Sequence, residues 1–143
     1  MIWVVCRAMA AHFDVEGFLK RHPGLEPDTV WRKGERESAK RTADTSGFNI
    51  PLAEDDNFEK ALAQTRQAAE QLAPVLRELA DLNVDVFIDF GMTVGEEKHF
   101  TRRALFYPEL LHWFAERRLA LVVSAYPSFD EDEEKDESTS PKD

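Results

Sequence analysis

The sequence predicts an α+β domain: a two-layer sandwich with a mostly antiparallel or mixed sheet of about five strands and helices on one face. Three observations predict it. Short segments rich in Val, Ile and Trp alternate with longer ones whose apolar residues recur every three or four positions. The run Val84-Asp85-Val86-Phe87-Ile88-Asp89-Phe90 changes character at each residue, so one face meets a helix layer while the other is at least partly wet. The order strand, helix, strand, strand, helix, strand, helix, strand lets neighbouring strands pair and gathers the helices on one side.

Each element has a local cause. Residues 2–10 open with β-branched and aromatic residues and carry one charge, Arg7, as a strand does. Asp14 has the position of an N-cap; Val15, Phe18, Leu19 and His22 follow at helical spacing, and Pro23-Gly24 ends the turn. Thr29-Val30-Trp31-Arg32 reads as a strand closed by Gly34. Residues 35–46 are polar and read as a mobile loop joining two strands. Gly47-Phe48-Asn49-Ile50-Pro51-Leu52 alternates with period two. Pro51 lacks an N–H, which demotes this strand to a sheet edge or to one whose Pro51 nitrogen faces no neighbour.

Asp56 and Glu59 have capping-box spacing. Phe58, Leu62, Thr65, Ala69, Leu72, Leu76 and Leu79 then form one apolar stripe of a long helix. Pro74 removes a backbone bond and presses on the carbonyl of Glu70, so a kink or break is expected there. The heptad spacing of the stripe also permits a homodimer through residues 58–79. Gly91 to Arg103 reads as a polar connection. Tyr107 and Pro108 open a helix whose Leu110, Leu111, Phe114 and Leu119 face inward, since proline suits a first turn. Residues 120–126 form the last strand, ended by Pro127.

The chain has 143 residues, 43% of them hydrophobic, ten of them Phe, and a formal net charge of −10. One domain, residues 1–127, is expected, with residues 128–143 a disordered acidic tail. Residues 130–143 hold eight acids and two lysines, so the domain itself is only mildly acidic. Too little basic charge is present for nucleic acid to be a partner; a basic protein partner is favoured. Cys6 is the one cysteine, reads as a buried small hydrophobe, and excludes an internal disulfide. No apolar run approaches the ~20 residues that span a membrane, and no secretory signal opens the chain, so a cytoplasmic protein is expected.

A set of segments carries a resemblance. These are Thr29-Val30-Trp31-Arg32-Lys33-Gly34, Ser46-Gly47-Phe48, the long helix, Asp85-Val86-Phe87-Ile88, Phe106-Tyr107-Pro108-Glu109-Leu110-Leu111 and Leu121-Val122-Val123-Ser124-Ala125-Tyr126. In order and spacing they resemble a bacterial family of small cytosolic proteins, domain of unknown function 4279, over residues 1–127. The resemblance implies an α+β fold, no established reaction, and an occurrence as immunity proteins beside toxins. The family often carries Asp beside the final Tyr, where this chain has Ala125, so no role of that acid transfers.

Candidate chemistry is sparse. Glu109-Leu110-Leu111-His112 has the Glu-x-x-His spacing of di-iron bundles but no second copy, and His12, His22 and His99 are scattered; no metal and no cofactor are expected. Asp85 and Asp89 lie about 13 Å apart along a strand at 3.3 Å per residue. That exceeds the ~5–9.5 Å of a glycosidase pair. Gly91 to Gly95 is followed by Glu96-Glu97, which repel phosphate. Residues 32–41 hold five basic residues and two acids beside Trp31.

These features give two expectations. The first is a non-enzymatic binding protein, an immunity protein that neutralises a basic toxin domain, with Asp85, Asp89, Glu96 and Glu97 as its contact charges. The alternative is an anion or small-molecule binder, or an enzyme, with a pocket formed by Arg7, Trp31, Arg32 and Lys33.

Overall fold

The computed structural model describes residues 1–128. Seven strands and four helices follow one another as β1 (Ile2–Ala10), α1 (Val15–Arg21), β2 (Thr29–Trp31), β3 (Arg36–Ser38), β4 (Arg41–Thr42), β5 (Ser46–Asp55), α2 (Phe58–Gln71), α3 (Ala73–Asp81), β6 (Asp85–Val94), α4 (Pro108–Glu116) and β7 (Leu119–Pro127). Five strands form one sheet in the order β2-β5-β1-β6-β7. β1 is central and antiparallel to β5 and β6; β6 and β7 are parallel. A parallel pair needs a crossover, and α4 supplies it. The α+β sandwich with a mixed five-stranded sheet is therefore what the sequence predicts.

Alternation decides which side of the sheet is the core. Ile2, Val4, Cys6 and Ala8 of β1 are buried, as are Phe48 and Ile50 of β5 and Val86, Ile88 and Phe90 of β6. They meet Phe18 of α1, Ala61, Thr65 and Ala69 of α2, Leu76 and Leu79 of α3, and Leu110 and Phe114 of α4. Aromatic rings knit the layers: Phe18 stacks on Phe48 at 5.8 Å, and Phe90 meets Phe106 edge-on at 5.3 Å. Thr65 is fully buried because its hydroxyl donates to the Ala61 carbonyl at 2.8 Å.

The structure corrects several local expectations. The residue 58–79 stripe packs on the sheet, with Thr65, Ala69, Leu76 and Leu79 buried there. The break expected at Pro74 is present: the long helix is interrupted at Leu72, and Pro74 lies in the first turn of α3. The N-cap of α2 is Asn57, which accepts from the Lys60 N–H at 2.9 Å, and not Asp56. Residues 36–42 form a small hairpin, β3–β4, within the predicted loop. β5 is an inner strand over Gly47–Asn49; Pro51 lies past the end of β2, opposite a register shift between Val4 and Val5. β6 continues to Val94 through Gly91. Leu111 is 45% exposed rather than inward. Asn83 and Arg118, both at φ 57°, turn the chain out of α3 and α4 without glycine. The predicted tail lies outside the described residues except for Ser128.

Candidate functional site

All four helices pack against one face of the sheet, and the opposite face stays uncovered among the described residues. Its side chains come from the other half of each alternation: Thr29 and Trp31 of β2, Gly47 and Asn49 of β5, Trp3, Val5, Arg7 and Met9 of β1, Phe87, Asp89 and Gly91 of β6, and Val122, Ser124 and Tyr126 of β7. Most are half-buried by their neighbours alone.

A charged pair sits at the centre. Arg7 Nη1 lies 3.5 Å from Asp89 Oδ2, Arg7 Nε donates to Asn49 Oδ1 at 3.1 Å, and the Ser124 hydroxyl donates to Asp89 Oδ1 at 2.9 Å. Asp89 is only 7% exposed, although its strand face has no helix over it. β6 is an inner strand, so Arg7 from β1 and Ser124 from β7 close over the carboxylate from both sides. A carboxylate this enclosed must be paired and hydrogen-bonded, and it is.

Aromatic residues frame this pair. Trp3 stacks on Tyr126 with ring centroids 5.4 Å apart, and Tyr126 is 47% exposed. A Cβ at Gly91 would lie 2.6 Å from Trp3 Nε1, so the indole rests on the glycine backbone. Trp31 does the same over Gly47, where a Cβ would meet Trp31 Cζ2 at 2.6 Å and would also collide with the Ala8 carbonyl. The Trp31 indole N–H donates to Thr45 Oγ1 at 3.1 Å. Beside Trp3, next to the register shift between Val4 and Val5, lies a groove of about 320 Å³ lined by Trp3, Val5, Pro51, Ala53, Asp28 and Glu54 among others. An aromatic wall with two carboxylates is a setting that attracts a cationic side chain.

The predicted contact charges separate into distinct places. Asp85 is exposed at the start of β6, on the open face. Asp89 is on the same face, but its charge is engaged by Arg7. Glu97 is exposed in the connection after β6. Glu96 belongs to a polar cluster at the end of β6: it accepts from the Thr93 hydroxyl, and its Oε1 lies 4.0 Å from Arg102 Nη2. Arg102 also donates to the Thr93 carbonyl at 2.6 Å and to Asp56 Oδ1 at 2.9 Å. The bond from Arg102, then that from the α-amino group of Met1, holds the Asp56 carboxyl well below the usual range.

The four residues of the predicted anion pocket do not converge on one ligand position. Arg7 and Trp31 share the open face, but the Arg7 guanidinium is held by Asn49 and Asp89. Arg32 is engaged by Glu16 and Glu35, and Lys33 is exposed past the end of β2. His112 pairs with Glu116 at 2.8 Å on the outside of α4. Among the described residues no three His, Cys, Asp or Glu side chains stand close enough to hold a metal ion.

Sequence reasoning missed Trp3, Tyr126, Asn49, Ser124, Asp28 and Glu54. One signal for the first was present: a glycine inside a strand pattern marks a close approach of another group. Gly91 is such a glycine, and Trp3 is the group that approaches it.

The model of the family described as a domain of unknown function (DUF4279) matches residues 7–128, from the Arg7 end of β1 through β7. The chain belongs to that family. No curated protein and no solved structure matches it.

Proposed function

We propose that this DUF4279 protein is a non-enzymatic binding domain, an immunity protein that occludes a basic toxin domain with the uncovered face of its sheet. One observation carries the reading: four helices clothe one side of a five-stranded sheet while the other side displays Trp3, Tyr126, Phe87, Met9 and Val122 around a charge pair satisfied within the protein. Half-exposed aromatics around a desolvated polar centre are the composition of binding hot spots. The acids on and beside this face set the sign of the partner. Asp28 and Glu54 flank the groove, Asp85 stands at one end of β6 and Glu97 follows the other. A lysine or arginine of the partner fits the groove against Trp3, and the surrounding acids speed encounter with a basic surface.

The test is co-expression with the protein encoded beside it. The neighbour alone is expected to arrest growth, and the wild-type chain to restore it. Tyr126→Ala, and Glu54→Lys combined with Asp28→Lys, should fold and lose the rescue. A harmless neighbour, or rescue undiminished in both variants, would remove the reading.

A further inference from the structure

The two edges of the sheet differ in a way the fold does not require. The β2 edge has three residues, preceded by Pro27-Asp28 and followed by Arg32-Lys33. Shortness, proline and flanking charge are devices that stop an edge from pairing. The β7 edge runs for nine residues, about 30 Å at 3.3 Å per residue. It carries no charged side chain, in a chain where 32% of residues are charged. Among the described residues its backbone bonds only to β6. Val123 in the middle of the strand is 49% exposed. A long, neutral, open edge is a template for another strand.

We propose that β7 pairs antiparallel with β7 of a second copy of this chain, about a two-fold axis at Val123, joining two five-stranded sheets into one of ten. The pairing would form on the order of eight to ten backbone hydrogen bonds between the copies. Two observations commit the edge to a second copy. The chain has a net charge of −10, and β7 is a stretch along which two like-charged copies meet without like charges in register. Second, α4 offers a matching flank. Leu110 and Phe114 face the sheet, and Trp113 faces α2 through Arg66 at 5.2 Å. At 100° per residue, Leu111 and Ala115 fall on the side away from α2, over the open edge. The two-fold axis brings these flanks together, which accounts for the exposure of Leu111.

This pairing is independent of partner binding on the open face, and its test uses the full chain alone. Sedimentation over a range of concentrations is expected to give twice the 16.4 kDa of one chain. Val123→Lys with Ala125→Lys, both at exposed positions, should give the mass of one chain that keeps the wild-type circular dichroism spectrum. Under mild oxidation Val123→Cys should cross-link to itself. Ala120→Cys should not, because its own copy lies six residues away along the paired strand, roughly 20 Å. Cys6 does not compete, being buried with its thiol pushed up to about 12 by desolvation. A single-chain mass at every concentration, a dimer indifferent to the two lysines, or equal cross-linking of the two cysteine variants would overturn the proposal.

Discussion

The two faces of the sheet are built from alternate residues of the same strands, yet they solve opposite problems. On the helix face Val4, Cys6, Ala8, Ile88 and Phe90 interlock with Phe18, Leu79 and Phe114, and the buried Thr65 hydroxyl is satisfied within its own helix. On the open face the same β1 and β6 present Trp3, Arg7 and Asp89, with indoles laid on glycines and a charge pair at the centre. Burial on the first face comes from a second layer. On the second it comes only from neighbouring side chains, so it is partial and leaves aromatic surface exposed. A sheet can thus be folded by one face while the other stays open, which is where the proposed recognition is placed.

Substitutions on the two faces sharpen this contrast. The largest loss is expected from Phe90→Ala, which empties a fully buried site between Phe58 and Phe106. It should cost about 3–5 kcal/mol in denaturant unfolding. On the open face the worst change is an addition. Gly47→Ala drives a methyl into the Ala8 carbonyl and the Trp31 ring and should cost about 3 kcal/mol, whereas Gly91→Ala, which meets only the Trp3 indole, should cost about 1–2 kcal/mol. A harmless Gly47→Ala would show that Trp31 does not lie on the sheet.

Asp89→Asn comes next. It removes the charge facing Arg7 but keeps an acceptor for Ser124. Removing one partner of a fully buried pair costs several kcal/mol, but the Arg7 side chain is 35% exposed and reaches water, so about 1–2 kcal/mol is expected. A loss near zero would show that the pair contributes little to the open face.

The smallest effect is titration of the surface clusters. Glu78, held low by its bonds to His22 and then Arg21, Asp56, held low by Arg102 and then the Met1 amino group, and Glu96, held low by the Thr93 hydroxyl, are all depressed. A depressed folded-state carboxyl stabilises the protein above its ordinary pKa of about 4 and loses that contribution as pH falls through the folded value. The melting temperature should therefore be level near neutrality and decline below about pH 4.5. Arg102→Gln should flatten part of the decline, and an identical profile would contradict the assignment to Asp56.

The helix face was largely legible in the sequence because burial there follows period: two for Val84 to Phe90, three and four for Phe58 to Leu79. The open face was not, and the reason lies in two glycines. Gly91 and Gly47 read as strand boundaries, since glycine weakens a strand by propensity. Each instead marks the seat of an indole supplied from a neighbouring strand, a fact of register that one segment cannot encode. Asp89 illustrates the same limit. Its position on the non-core face was readable, but its enclosure was not, because Arg7 lies 82 positions away and Ser124 comes from the parallel strand. Asp56 had capping-box spacing with Glu59, yet Asn57 took the cap and left Asp56 to Arg102.

The central claim is that the open face is the recognition surface, and affinity for the protein encoded beside this one tests it most directly. Calorimetric titration of that protein into the wild-type chain, into Glu54→Lys with Asp28→Lys on the open face, and into Glu70→Lys on the exposed side of α2 separates the two faces. The account predicts binding at least ten-fold weaker, a change of about 1.4 kcal/mol or more, for the open-face pair and unchanged binding for Glu70→Lys. Unchanged affinity in the open-face pair, with the loss falling on Glu70→Lys, would contradict it.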